Sequence, residues 1–319
     1  MKNLLKLTLT LFLALSIVSC SDDDDNGNVM DPGSQTIADF VSDNADYSTL
    51  LAALDRAGLV TTLDGTIEFT VFAPNNAAFD AFLTANNFTS LDDVPTDVLT
   101  NVLLNHVVSG SVLSTQLNTG YINTLGVAIN GFNLSMYVDT SSGVTLNGEA
   151  SVATADVEVD NGVIHAVDAV IGLPNVVTFA TADPTFSTLV AALTRSDQPD
   201  FVSVLSTPDG TSPAPFTVFA PTNDAFGDLL TELGVGSLDD IDTATLTATL
   251  NTHVIAENNV RAADLTDGPV TTLGGEITID ATNATITDTN GRVSNIIVTD
   301  VQSINGVIHA IHKVILPTL

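Results

Sequence analysis

The 319-residue chain contains no tryptophan, a single cysteine and only 7 lysines and arginines. Aromatic residues make up 5%, which leaves few flat side chains to stack bases or sugar rings. One cysteine excludes a disulfide framework and a thiolate metal cage. The 7 basic residues stand against 38 acidic ones, for a net charge of −31. That field repels a phosphate backbone and excludes nucleic-acid binding by phosphate neutralisation. It also argues against electrostatic docking on anionic lipid. Catalytic signatures are missing too. There is no Gly-x-Ser-x-Gly elbow, no His-Glu-x-x-His pair and no Walker loop. Gly234-Val235-Gly236 is followed by Ser-Leu-Asp and fails as a dinucleotide fingerprint.

What is present is an ordinary apolar share of 45% in a length suited to about two domains. At the N-terminus Lys2 and Lys6 precede an apolar run from Leu7 to Val18. The run is too short for a membrane-spanning helix, which needs about 20 residues, and has the pattern of a cleaved export signal. It ends in Leu15-Ser-Ile-Val-Ser-Cys20, where Cys20 is the chain's one cysteine. These residues resemble the lipobox of bacterial lipoproteins. The resemblance implies residues 1–19 as signal peptide and Cys20 as the lipid attachment site and mature N-terminus. The alternative is an ordinary exported thiol. Ser21-Asp-Asp-Asp-Asp-Asn-Gly27 follows, within an acidic tether spanning 20–34. It resembles the export tag that some Gram-negative bacteria place after the lipid cysteine, and equally suits a solvated linker. A calcium loop is rejected, because Gly33 stands where a bidentate Glu belongs.

The body repeats itself. Phe69-Thr-Val-Phe-Ala-Pro returns at Phe216, Leu104-Asn-His106 at Leu250-Asn-Thr-His253, and Asn161-Gly-Val-Ile-His165 at Asn305-Gly-Val-Ile-His309. Tyr47-Ser-Thr-Leu-Leu-Ala-Ala-Leu54 returns as Phe186-Ser-Thr-Leu-Val-Ala-Ala-Leu193. The order is kept, so the chain is a tandem duplication divided into 35–174 and 175–319. An insertion in the second copy, near Ser196–Pro215, reads as an enlarged surface loop. Within a copy, helical stripes come first, around Leu50–Leu54 and at Val98, Leu99, Val102 and Leu103. A β-rich segment, Phe69–Ala73, stops at Pro74, and Asn75 or Asn76 can cap the helix that follows. From Tyr121 short apolar runs separated by Asn-Gly and Ser-Gly turns predict an antiparallel meander. The fold class is α+β, with each half separately stable.

The Thr-Val-Phe-Ala-Pro-Thr-Asn-Asp-Ala-Phe stretch (217–226), the mid-domain His and the closing Asn-Gly-Val-Ile-His with its Leu-Pro resemble the fasciclin domain. Both copies carry all three in order. The resemblance implies two β-sandwich-like wedges with packed helices and a role in adhesion or matrix binding, without catalysis or cofactor. In animal relatives integrin binding is associated with a Tyr-His pair and an Asp-Ile segment. Here Asn105 and Thr252 replace the Tyr, and Val157 and Val301 replace the Ile. His106, Asp156, His253 and Asp300 are the nearest equivalents and the candidate binding residues.

His106, His165, His253 and His309 occupy repeat-equivalent positions. An enzyme would use them as bases or ligands. Duplication in apolar settings favours buried histidines that hold backbone groups. Asp156 and Asp300 are expected to cap a turn before the last strand. His312 lies three residues after His309, on the opposite face of a strand, so the two cannot clamp one ion. The expected role is a surface-exposed, outer-membrane lipoprotein. Its partner would be a cell-surface or matrix protein or a polysaccharide, with diffuse divalent cation binding at the acidic surface. A periplasm-facing placement is the alternative location. A glycan- or ligand-capturing accessory in nutrient uptake is the alternative function.

Overall fold

The computed structural model describes residues 35–318. The signal peptide, Cys20 and the acidic tether lie outside the described residues. Each copy opens with a short capped helix. Thr36 accepts the amide of Asp39 at the start of α1 (Ile37–Asp43), and Asn175 accepts that of Thr178 at the start of α6 (Val176–Ala182). The first copy continues through α2 (Ser48–Ala57), α3 (Val60–Leu63), β1 (Phe69–Pro74), α4 (Asn76–Ala85) and α5 (Thr96–Asn105). Asn75 caps α4 and Pro95 precedes α5, as the residue types require. Then come β2 (Val107–Ser109), β3 (Gly120–Val127), β4 (Asn133–Asp139), β5 (Thr145–Leu146), β6 (Ala150–Val159) and β7 (Gly162–Val167). The second copy repeats the order. Its helices are α6, α7 (Ser187–Leu193), α8 (Phe201–Leu205), α9 (Asn223–Leu233) and α10 (Thr243–Thr252). Its strands are β8 (Phe216–Pro221), β9 (Val254–Ile255), β10 (Gly268–Thr272), β11 (Gly275–Asp280), β12 (Thr285–Thr287), β13 (Val293–Ser303) and β14 (Gly306–Ile311).

The first sheet runs β2-β1-β7-β6-β5-β4-β3, and the second has the equivalent order. The expected meander is present from β3 to β7, but the sheet is mixed. The early strand β1 pairs parallel with the last strand β7, Phe69 opposite Gly162 through Pro74 opposite Val167. Nearly ninety residues of helices and strands separate the two in sequence, ample for the crossover that parallel pairing requires. Because side chains alternate along a strand, β1 feeds two cores. Phe69, Val71 and Ala73 pack with Ile37, Leu54, Phe79 and Leu99 on the helix side. Phe72 points the other way, into a core with Met136, Val138, Leu146 and Ile171. Its equivalent Phe219 packs with Ile255, Ile277, Ile286 and Ile311. Burying one such ring contributes roughly 1.5–3 kcal/mol. The Ser196–Pro215 stretch departs from the expected plain loop. It contains α8, the counterpart of α3, whose Phe201 and Leu205 are buried at helical spacing.

The copies meet through named groups. Tyr121 on β3 and Tyr137 on β4 pack into the second copy's core beside Phe179 and Val301. The Tyr121 hydroxyl donates to Asp183 at 3.0 Å, and its ring stands edge-on to Phe179. The Gln302 amide donates to the Ser135 hydroxyl at 3.0 Å, and the Ile304 amide to the Pro174 carbonyl at 2.7 Å. The Arg261 guanidinium lies 4.3 Å above the Phe132 ring. In the second copy, the positions paired as Tyr121 and Tyr137 are in the first carry Pro269 and Thr278. The duplication has therefore diverged where the copies touch, and the contact is one-sided.

Candidate functional site

The strands β6 and β13 each carry two residues more than their partners, through two register shifts apiece, the first between Val152 and Thr154 and between Ile296 and Val298. The second falls between Thr154 and Val157 and between Val298 and Val301, the signature of a β-bulge. Asp156 and Asp300 lie within this second shift, with φ of 61° and 63°. Asp tolerates this left-handed region better than most residues. They lie inside strands rather than in the expected turn, because the last hairpin is closed by Asn161-Gly162 and Asn305-Gly306 instead.

The bulge turns each carboxylate toward the segment ahead of the meander. Asp156 accepts the Ser114 amide and the Ser114 hydroxyl, each at 2.6 Å. Those bonds, the hydroxyl's first, hold its carboxyl below the usual range. Asp300 accepts the Ala262 amide at 2.8 Å and stands 3.3 Å from the Arg261 guanidinium. The backbone amide of Asp156 donates to His165 Nδ1 at 3.2 Å, and that of Asp300 to His309 Nδ1 at 3.4 Å. The opposite ring nitrogens donate to the carbonyls of Val112 and Val260, at 3.0 and 2.9 Å. These partners assign the neutral Nε2–H tautomer to both rings. The His165 ring stacks on Phe72 at 5.5 Å between centroids, and His309 on Phe219 at 5.7 Å.

His106 and His253 close helices α5 and α10. Nδ1 of each donates back to the carbonyl four residues earlier, Val102 or Thr249, at 2.7 Å. Nε2 accepts the amide of Ile171 or Ile315, at 2.9 and 3.0 Å. This is the opposite tautomer, Nδ1–H. Both rings are buried, and burial pushes their pKa down to about 4. Burial likewise lowers that of His309. A protonated ring at His106 would point an N–H at the Ile171 N–H, so the fold and the charge exclude each other.

His106 and Asp156 do not bond to one another, and neither do His253 and Asp300. They are joined through Phe72 and Phe219. The Phe72 amide donates to the His106 carbonyl and the Phe219 amide to the His253 carbonyl, each at 2.9 Å, while each ring stacks on the histidine held by the bulge. The four candidates thus belong to two equivalent chains of contact, His–Phe–His–Asp, one per copy. In all four repeat-related histidines both ring nitrogens are committed to backbone, which leaves none to take a proton from a substrate. The carboxylates are the accessible ends, with side chains 34% exposed at Asp156 and 25% at Asp300. Among the described residues no three His, Cys, Asp or Glu side chains converge as metal ligands. His312 stands apart, accepting the Asn295 amide at 2.7 Å.

Sequence reasoning read Asn161 and Asn305 only as turn residues. Both are buried. Asn161 accepts the Ile37 amide at 2.8 Å and donates to the carbonyls of Leu63 and Gly65. Asn305 does the same with Val176, Leu205 and Thr207. Each staples the opening helix to the closing hairpin across more than 120 residues. The adjacent glycines are required by crowding, since a Cβ on Gly162 would stand 1.8 Å from the Phe69 carbonyl oxygen, and one on Gly306 2.4 Å from that of Phe216. The recurrence of Asn-Gly in both copies was the available signal. Arg261 had none, because the first copy carries Leu113 at the matching place.

The family model of the fasciclin domain matches residues 45–174 and 184–317. Protein sll1483 of Synechocystis sp. is 37% identical over 136 residues, covering 43% of this chain and 72% of that protein. Transforming growth factor-beta-induced protein ig-h3 of Oryctolagus cuniculus is 32% identical over 264 residues, covering 80% of this chain but 35% of the relative. Cell surface glycolipoprotein MPB83 of Mycobacterium bovis is 30% identical over 155 residues, covering 46% of this chain and 65% of that one. Among solved structures, a FAS1 domain pair from the insect cell adhesion molecule fasciclin I aligns with a TM-score of 0.48 and 21% identity, over 85% of this chain and 95% of that one. With both halves matched by the same family model, the chain belongs to the fasciclin-domain family, as a tandem pair.

Proposed function

We propose that this chain is a lipid-anchored protein of the outer cell surface that binds a matrix polymer or a neighbouring surface through its domain pair, without catalysing a reaction. The observation that carries the reading is the commitment of every repeat-related histidine to backbone bonds, identical in both copies. Such residues hold strands and helices in place and leave the outer faces to do the binding. The relative MPB83 is named as a cell surface glycolipoprotein, and the lipobox-like residues ending at Cys20 supply the corresponding anchor. The domains are taken to divide at Pro174-Asn175, since α1 and α6, just ahead of the matched spans, are stapled into their own copies by Asn161 and Asn305. The net charge of −31 favours a neutral or basic partner and diffuse divalent counterions over an anionic one. Asp156 and Asp300 are the accessible polar ends of the conserved-geometry stacks and the first residues to vary in a binding assay.

The test is retention of purified chain 20–319, with Cys20→Ser to prevent acylation, on isolated matrix polysaccharide and on intact cells. The proposal predicts saturable retention. No retention on either, with hydrolytic turnover instead, would overturn it. Tight saturable capture of small soluble glycans, with no attachment defect on deletion, would favour the nutrient-uptake alternative.

A further inference from the structure

The second copy contains a cavity of about 250 Å3 that no part of the surface-binding reading uses. It lies between α6, α7, α8 and the sheet strands β8 and β14. Its walls are aliphatic and aromatic, among them Val176, Phe186, Leu189, Leu205, Val218 and Ile308, and no charged side chain lines it. Exposed Thr181, Thr194 and Val202 form its rim. The two threonine hydroxyls donate to their own helices, Thr181 to Val177 and Thr194 to Val190, so the rim presents no free hydroxyl donor. For scale, an apolar cavity of about 150 Å3 stays dry and takes a benzene-sized molecule.

Two of the residues that line the hollow are smaller than their counterparts in the first copy. Ala180 and Val190 line it. The equivalent positions of the first copy, 139 residues earlier, carry the larger Val41 and Leu51. Val41 is fully packed in the first helix-side core, and Leu51 packs against the same core. The fold accommodates filling side chains at both places, and the second copy has smaller ones at both.

We propose that this cavity binds the aliphatic tail of an amphiphile whose head group is uncharged. The apolar walls match a hydrocarbon chain, and a polar head would remain at the threonine rim. With a net charge of −31 on the chain and no basic residue in the lining, an anionic head is repelled, which selects against fatty carboxylates.

The experiment is calorimetric titration of chain 20–319 carrying Cys20→Ser, free of detergent, with 1-octanol and with octanoate. Thermal melts of the same samples accompany it. Octanol is expected to bind saturably near one per chain and to raise the melting temperature, with octanoate at least tenfold weaker. Ala180→Val and, separately, Val190→Leu restore the first copy's residues. Each is expected to weaken octanol at least tenfold while leaving the melting temperature without ligand unchanged or higher. Equal octanol binding by a folded filling variant would overturn the proposal, as would absence of saturable octanol binding to the parent chain. Octanoate binding as tight as octanol would overturn the head-group assignment.

Discussion

Acidification from pH 7.5 to 5 should weaken this protein through two side chains, His106 and His253. Their folded-state pKa is near 4, against about 6.5 in an unfolded chain. Between those values the unfolded state binds more protons than the folded one. Stability is therefore full above about pH 6.5 and falls as pH drops toward 4. At pH 5 each ring costs about 2 kcal/mol by this linkage, and the pair about 4 kcal/mol. That is a large share of a typical folding free energy of about 5–15 kcal/mol. His309, also lowered by burial, acts with the same sign. Asp156, Asp197 and the other carboxylates held below their usual range add losses only at lower pH, while Glu149, raised by burial, opposes the decline as it takes up a proton. The assay is urea unfolding followed by far-ultraviolet circular dichroism at half-unit pH steps. His106→Gln and His253→Gln should each be less stable at pH 7.5, and each should remove about 2 kcal/mol of the decline at pH 5. A parent protein equally stable at pH 7.5 and 5, or a double variant with an undiminished slope, would refute the assignment of buried neutral rings.

Gly162→Ala should cost about 3 kcal/mol or more or prevent folding of the first copy, because its Cβ would collide with the Phe69 carbonyl; equilibrium urea melts read this directly. Asp156→Ala should be about 1 kcal/mol worse than Asp156→Gly, since both lose the Ser114 bonds but only alanine retains the strain of φ 61°. Asn305→Ala should cost about 1–3 kcal/mol through unpaired backbone groups at Val176 and Leu205, seen as a lower urea midpoint. Residues 35–174 alone should fold but bind an apolar dye at the uncovered Tyr121 and Tyr137; an unfolded fragment by circular dichroism would show that the copies do not stand separately.

The duplication made much of this legible. Strand β1 and its stop at Pro74, the Asn75 cap, and the helix ending at His106 are encoded within a few residues, where period and capping chemistry act. Repetition marked His106, His165, Asp156 and their partners as one set, although sequence alone could not say that two of the histidines carry opposite tautomers. What escaped was set by distance. The parallel pairing of β1 with β7 joins segments far apart in sequence, and nothing in either strand alone specifies its neighbour. The bulge at Asp156 depends on the mismatch between two strand lengths, which no local pattern around the residue encodes. Arg261, Tyr121 and Tyr137 serve the contact between copies, and a comparison that looks for sameness passes over positions where the copies differ. The same blindness hid Ala180 and Val190, whose importance is only that they are smaller than Val41 and Leu51.

The proposed binding from a surface anchor, without catalysis, is tested by attachment of whole cells. Cells lacking this protein would be complemented with the parent chain, with Cys20→Ser, or with His106→Gln plus His253→Gln, and their retention on matrix-coated surfaces counted at pH 7.5. Restoration is expected from the parent and from the histidine variant wherever circular dichroism shows that variant folded, and failure from Cys20→Ser. Full restoration by Cys20→Ser, or loss of attachment in a folded histidine variant, would contradict the proposal.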